Sequence, residues 1–195
     1  MKKLISLLLI GLLTACASVV KVEGEQVVNQ RMSVKLTDAW NKVNLPGSKQ
    51  PYEIWTQEGL ALDQLRLWAA VQPGQSLMAP LPSAGSGQKA PRVPTYIANM
   101  APDQLVNLFE VMYSADGSIV SMDRVEPVVF AGEKGVRFEF SVTRKSDDVQ
   151  LRGVGWVAIR KNELYAASFV APKLSFYQRL APKAERVVQS AKIAG

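Results

Sequence analysis

Two residue types much used in acid, base or nucleophilic chemistry are scarce in this chain, which has no histidine and one cysteine, Cys16. These counts exclude Ser-His-Asp and Cys-His mechanisms and the histidine-containing zinc sites. Catalysis would therefore rest on carboxylates or on a Ser-Lys pair. The carboxylate groupings that stand out are Asp147-Asp148 and the pair formed by Glu58 and Asp63.

Both carboxylate groupings fit local backbone structure better than they fit a catalytic site. Asp147-Asp148 fall between two predicted strands, where aspartate side chains commonly hydrogen-bond the backbone of a turn. Glu58-Gly59 predicts a bend, with Asp63 on a polar face. The sequence therefore predicts a protein that is not an enzyme and has no cofactor or metal site. A hydrolase that uses carboxylates or a Ser-Lys pair is the alternative.

Glycine and tryptophan positions favour packing over ligand binding. Gly153 and Gly155 form a G-x-G inside a strand pattern and do not open a helix, so the geometry of a phosphate cradle is missing. We expect these glycines to make room for a neighbouring helix or a bulge. Large aromatic residues are more often core anchors than platforms for a ligand ring, and this is the expectation for Trp40, Trp55, Trp68 and Trp156.

The basic residues are scattered along the chain. The formal net charge of +6 includes Lys2 and Lys3, and no run of five or more basic residues occurs. Nucleic-acid-binding domains normally cluster lysine and arginine on one element. The sequence therefore predicts no binding to nucleic acid.

The first 13 residues have the pattern of an export signal. Lys2 and Lys3 precede a mainly apolar run over Leu4–Leu12. A permanent transmembrane helix needs about 20 apolar residues, and this run is roughly half that length. The run is therefore predicted to be a signal peptide that ends at Ala15.

The tetrapeptide Leu13-Thr14-Ala15-Cys16 closes this run and resembles the lipobox of bacterial lipoproteins at all four positions. The resemblance implies a diacylglyceryl group on the Cys16 thiol, cleavage before Cys16 and acylation of the new amino group. Two or three acyl chains make a stable anchor, so the membrane is the expected partner through Cys16. Ala17 stands where that family's inner-membrane proteins carry Asp. This implies the outer membrane, facing the periplasm, in a Gram-negative cell.

The mature chain is predicted to have a tether over residues 16–30 and one domain over residues 31–195. Ala17–Gln30 shows no helical or alternating period and is interpreted as the tether. Apolar alternation predicts a first strand at Arg31–Leu36, and two short strands are expected about Pro46-Gly47 at Lys42–Leu45 and Tyr52–Thr56. Leu60–Val71 is predicted to be a strand, with a helix as the alternative.

A long proline-rich segment interrupts the domain. Gln72–Pro94 holds five of the eleven prolines and is predicted to be an irregular loop. Loops longer than about 12 to 15 residues are usually functional or disordered. Leu77, Met78 and Leu81 would be exposed apolar residues in this loop, which predicts a binding surface there. Simple mobility of the loop is the other interpretation.

The second half predicts a helix, four strands and a last helix. Apolar residues recur at three- and four-residue steps from Pro102 to Asp116-Gly117. Strong alternation, as in Val136, Phe138, Phe140 and Val142, then predicts an antiparallel meander with one buried face. The expected elements are strands Ile119–Phe130, Val136–Arg144, Val149–Arg160 and Glu163–Ala171, and a helix within Leu174–Ile193 that Pro182 opens.

These elements predict an α+β fold with a largely antiparallel β-sheet flanked by helices, an α/β/α sandwich. The closing hairpin Val149–Ala171 and the terminal run Val187-Val188-Gln189-Ser190-Ala191 are similar to the PsbP and DcrB group of α/β/α domains. That group occurs in exported and lipid-anchored proteins, and no shared catalytic residues carry over from it. The expected function is that of an envelope lipoprotein that binds a protein or a small apolar ligand without catalysis.

Overall fold

A computed structural model of the chain describes residues 18–45, 50–80 and 93–194. These residues form one sheet of nine strands and two helices. The elements are β1 Ser18–Val28, β2 Met32–Asn44, β3 Glu53–Thr56, β4 Gln64–Val71, α1 Pro102–Ser114, β5 Ile119–Phe130, β6 Glu133–Thr143, β7 Gln150–Arg160, β8 Glu163–Pro172, α2 Phe176–Gln189 and β9 Lys192–Ile193.

The strands pair antiparallel in the order β1-β2-β3-β4-β8-β7-β6-β5, and the short β9 pairs with the start of β2. The fold is therefore α+β with a mainly antiparallel sheet, as predicted. Within the meander β5 to β8, the apolar alternation is clearest in β6. The predicted face of β6 is buried at Val136, Phe138, Phe140 and Val142.

Two hydrophobic cores form because successive strand residues point to opposite faces of the sheet. On β8, Tyr165 and Phe169 belong to the core that contains α2, whereas Leu164 and Ala166 belong to the core that contains α1. The four tryptophans are buried, in agreement with the prediction of core anchors.

Helix α1 matches its prediction, with Pro102 in the first turn and an apolar side buried against the sheet. Helix α2 begins earlier than predicted. Pro182, expected at its opening, lies inside the helix. An internal proline removes the hydrogen bond to the carbonyl four residues earlier. Here Pro182 and Gln178 are both exposed, so this proline lies on the solvent side of the helix.

The segment expected to be a tether is the edge strand β1. It pairs with β2 along its length, from Ser18↔Asn44 to Val28↔Met32, with a register shift between Val22 and Gly24. Only Val22 and Val28 of this strand are buried, so β1 lacks the alternation that identifies a half-buried strand. The domain therefore includes Ser18–Val28, and the predicted separate strand at Lys42–Leu45 falls at the end of the long β2, which ends at Asn44.

The two glycines of β7 make room for aromatic rings. The sequence pattern predicted instead that they make room for a helix or a bulge. Gly153 lies opposite Phe140 and Gly155 opposite Phe138 on β6. A Cβ atom at either glycine would overlap the facing ring. The two rings therefore lie over the β7 backbone, which only glycine allows at this distance.

Candidate functional site

The sheet has an opening beside the last residues of β4. Strand β3 pairs with β4 from Trp55↔Leu65 to Glu53↔Leu67. Two residues further, the same register would place Pro51 opposite Ala69. Proline has no N–H to donate to a ladder, so the pairing ends. Among the described residues, no strand covers this edge of β4 beyond Leu67.

This opening holds a cavity of about 480 Å³, which we call the β4-edge cavity. Its walls come from four stretches that meet only in the folded chain. They are the end of β1, the residues before β3, the second half of β4 and the first part of the proline-rich segment. The lining residues include Val28, Asn29, Gln50, Tyr52, Ala69, Val71, Gln75, Met78 and Ala79.

Three side-chain amides in the lining each use one polar atom to hold a backbone group. Asn29 Nδ2 donates to the carbonyl of Ala69 at 2.9 Å, where the N–H of a strand neighbour would otherwise donate. Gln50 Oε1 accepts from the N–H of Ala79 at 3.0 Å, and Gln75 Oε1 accepts from a backbone N–H at 2.8 Å. Within the described ranges, the second polar atom of each amide has no hydrogen-bond partner and can bind a ligand.

The lining is close to electrically neutral. Among the described residues that line the cavity, Glu53 is the only carboxylic acid. One oxygen of Glu53 pairs with Lys42 Nζ at 2.9 Å, and the other accepts from Trp55 Nε1 at 3.0 Å. Recognition in this cavity would therefore depend on hydrogen bonds and apolar contact and not on charge.

The predicted binding residues Leu77, Met78 and Leu81 do not form one exposed surface. Leu77 is fully buried in the α1 core, which corrects the expectation of exposure. Its carbonyl accepts from Trp68 Nε1 at 2.9 Å, and its N–H donates to the carbonyl of Pro94 at 2.9 Å. Met78 is partly buried and lines the β4-edge cavity. Leu81 lies outside the described residues.

Asp63 is buried, not on a polar face as predicted. Its two oxygens accept the backbone N–H groups of Gln57 and Glu58, each at 2.7 Å, and so hold the loop before β4. Burial raises the pKa of the Asp63 carboxyl against the opposing effect of these hydrogen bonds. Glu58 points elsewhere and pairs with Arg179 at 2.6 Å.

The second carboxylate grouping also serves local structure, as expected from its position in a turn. Asp147 accepts two hydrogen bonds from Arg144, at 2.8 and 2.6 Å, and these lower the pKa of Asp147. Asp148 adopts a positive φ of 56° in this turn. Across the part of the chain that the structure describes, no group of three or more acidic, cysteine or histidine residues is arranged to hold a metal ion.

An ionic network that sequence reasoning missed lies on the α2 side of β6. Arg137 contacts Glu126 at 3.0 Å, Glu139 at 2.8 Å and Glu185 of α2 at 3.1 Å. Glu139 also pairs with Arg152 at 2.8 Å, and hydrogen bonds from the two arginines lower its pKa. Arg137 and Glu139 are neighbours on one face of β6, but Glu126, Arg152 and Glu185 come from other elements, so no spacing rule could reveal the network. It links the sheet to α2.

The order of the strands in the sheet and the two helices define a domain with a PsbP-like α+β fold. The solution structure of cyanobacterial PsbP (CyanoP) from Synechocystis sp. PCC 6803 is similar to this chain, with a TM-score of 0.57 and 10% sequence identity. The similarity covers 93% of this chain and 95% of that chain. At this identity the likeness concerns the fold alone. Neither a known protein family nor a curated protein matches the sequence.

Proposed function

We propose that this protein is a lipid-anchored module of the bacterial envelope that binds a peptide segment of another envelope protein in the β4-edge cavity. Anchoring is supported by the leader and by the lipobox residues Leu13-Thr14-Ala15-Cys16. No helix among the described residues is long and apolar enough to span a bilayer. We also infer the α/β/α layering predicted from the sequence, because α1 and α2 belong to different cores.

The open edge of β4 is the observation that carries the binding proposal. An extended peptide adds to an exposed sheet edge through main-chain hydrogen bonds, and pockets beside that edge select its side chains. This edge has no strand neighbour among the described residues beyond Leu67, and a bound peptide would take the place of the Asn29 amide at the Ala69 carbonyl. The neutral lining, with its amides and the apolar Met78, suits an uncharged extended segment.

Anchoring is tested by following Cys16→Ser in cells given labelled palmitate. We expect the variant to lose the lipid label and to remain as unprocessed precursor, because the thiol is the acceptor in the pathway that the lipobox implies. The wild-type chain, labelled in parallel, is the control. A variant that matures normally would end the lipoprotein proposal.

Peptide binding is tested by panning a random peptide library against the mature chain. Ala79→Trp would fill the cavity while keeping the backbone N–H that donates to Gln50. Leu174→Trp, at a highly exposed position outside the cavity lining, is the matched control. We expect selected peptides to bind the wild type and the control variant and to lose most of their affinity for Ala79→Trp. Equal binding to all three proteins would refute the cavity as the site.

A further inference from the structure

The start of β1 limits how far the domain can lie from an acyl anchor on Cys16. Ser18 is the first residue of β1 and is paired with Asn44. Only Ala17 separates it from Cys16. Two residues of fully extended chain span at most about 7 Å. This inference rests on the proposed lipid anchoring of Cys16, which would hold the Ser18 end of the domain against the bilayer.

The surface at this end is apolar where it would meet the lipid. Val19 and Val20, the next residues of β1, are 58% and 50% exposed. Both lie on an edge strand that pairs with β2 on one side only. Burying exposed valine side chains in the interface is favourable and adds to the free energy of the acyl anchor.

Charged residues further along β1 favour a strand that points away from the membrane, which we call upright, over a strand that lies flat on the membrane surface. Glu23 and Glu25 are exposed in the middle of the strand, and Glu23 is paired with Lys21. A strand lying flat would bring both carboxylates to the lipid surface, and removing charged groups from water is costly. An upright strand keeps both of them in water.

We propose that the Ser18 end of the β1–β2 hairpin is the membrane-contacting surface of this protein, with Val19 and Val20 in the interfacial layer of the bilayer. Val27, near the other end of β1, is the matched reference position. It is also 58% exposed, and it lies eight residues from Val19 on the same strand. At about 3.3 Å per strand residue, the two positions are at most about 26 Å apart along the strand.

The test attaches a fluorescent label to Val19→Cys or Val27→Cys in the purified, lipidated protein. The thiol of Cys16 carries lipid in this form, so the introduced cysteine is the one thiol that can react. Labelled proteins are reconstituted into phosphatidylcholine vesicles with or without a lipid that carries a nitroxide at the headgroup. We expect the nitroxide to remove most of the fluorescence at residue 19 and to leave that at residue 27 unchanged.

A longer connection provides an independent measurement on the same fold. A Gly-Ser insertion of about 12 residues between Ala17 and Ser18 spans several times the natural distance. We expect it to abolish most of the quenching at residue 19. Equal quenching at residues 19 and 27, or unchanged quenching after the insertion, would overturn the proposed orientation while leaving the anchor intact. Protein that carries no lipid and stays off the vesicles would refute the anchoring itself, and the orientation with it.

Discussion

The contact between Phe138 and Gly155 predicts that Gly155→Ala destabilises the domain when the Phe138 ring is present and stabilises it when the ring is absent. The ring lies over the glycine, and a Cβ atom at Gly155 would lie 2.6 Å from Cε2 of Phe138. Phe109 and Phe140 hold the other sides of the ring, with centroids 4.8 and 5.9 Å away. The ring therefore has little room to move, and Gly155→Ala should cost about 1 to 3 kcal/mol by overpacking.

Removing the ring should reverse the effect of the same glycine substitution. Phe138→Ala by itself should cost about 3 to 5 kcal/mol, because it opens a cavity in the α1 core. In that background, Gly155→Ala meets no ring, and the backbone of Gly155 is not in the left-handed region. It should then stabilise the domain by about 0.5 to 1 kcal/mol, because alanine loses less backbone entropy than glycine on folding. The expected coupling energy is therefore about 1.5 to 4 kcal/mol.

The assay is urea unfolding of the four proteins of this double-mutant cycle. For a domain of this size, each 1 kcal/mol should also shift the melting temperature by about 2 to 4 °C. Val129→Ala on β5 is the control, because Val129 is 70% exposed and its truncation should change stability by less than about 0.5 kcal/mol. If Gly155→Ala has the same cost with and without the Phe138 ring, the ring-over-glycine reasoning is refuted.

Three further predictions concern single side chains. Burial raises the pKa of Asp63, so ionisation of this carboxyl opposes folding. The free energy of unfolding should therefore fall as the pH rises above about 3.9, the pKa of an unfolded aspartate. Urea unfolding at several pH values should show this slope in the wild type and not in Asp63→Asn. Hydrogen bonds from two arginines lower the pKa of Glu139, so its carboxylate stabilises the folded domain. This stabilisation should be present above about pH 4.3 and lost as the pH falls through the folded-state pKa. Glu139→Gln should therefore reduce the loss of stability at acid pH in the same urea experiment. Leu77→Ala should cost about 2 to 5 kcal/mol in chemical unfolding, because the side chain is core; a cost near zero would restore its predicted surface role.

Sequence periodicity was sufficient where one side of an element is buried. It predicted α1 and β6, because their apolar residues recur at the helical or strand period. Strands β7 and β8 are buried on both faces, and they were predicted as apolar runs bounded by turn residues. It failed for β1, because an edge strand with two buried residues carries no such period. Leu77 was missed for a related reason. An isolated leucine among prolines has no neighbours in sequence that reveal the tertiary contacts that bury it.

The β4-edge cavity could not be predicted because it depends on a register between strands. Pro51 carries a recognisable signal, since proline ends a ladder, but its consequence appears only when Glu53 is known to pair with Leu67. The network around Arg137 is similar, because its acids come from β5, β6 and α2. Asp63 was expected to be exposed because it is polar. In the fold its carboxylate is buried and accepts hydrogen bonds from two backbone N–H groups, which the sequence does not reveal.

The registers of the first three strands relate the anchor to the cavity. Ser18 pairs with Asn44, and Val43 pairs with Ile54, so the residues that lead into β3 lie at the same end of the hairpin as the start of β1. A second cavity of about 340 Å³ at this end shares Gln50, Tyr52 and Glu53 with the β4-edge cavity. The β4-edge cavity also reaches Val28 and Asn29 at the other end of β1, so under the two proposals its side formed by residues 50–53 would be the one nearer the bilayer. A partner that is itself bound to the membrane would then meet the cavity at a high effective concentration, so that even modest affinity for a short peptide segment would suffice for binding.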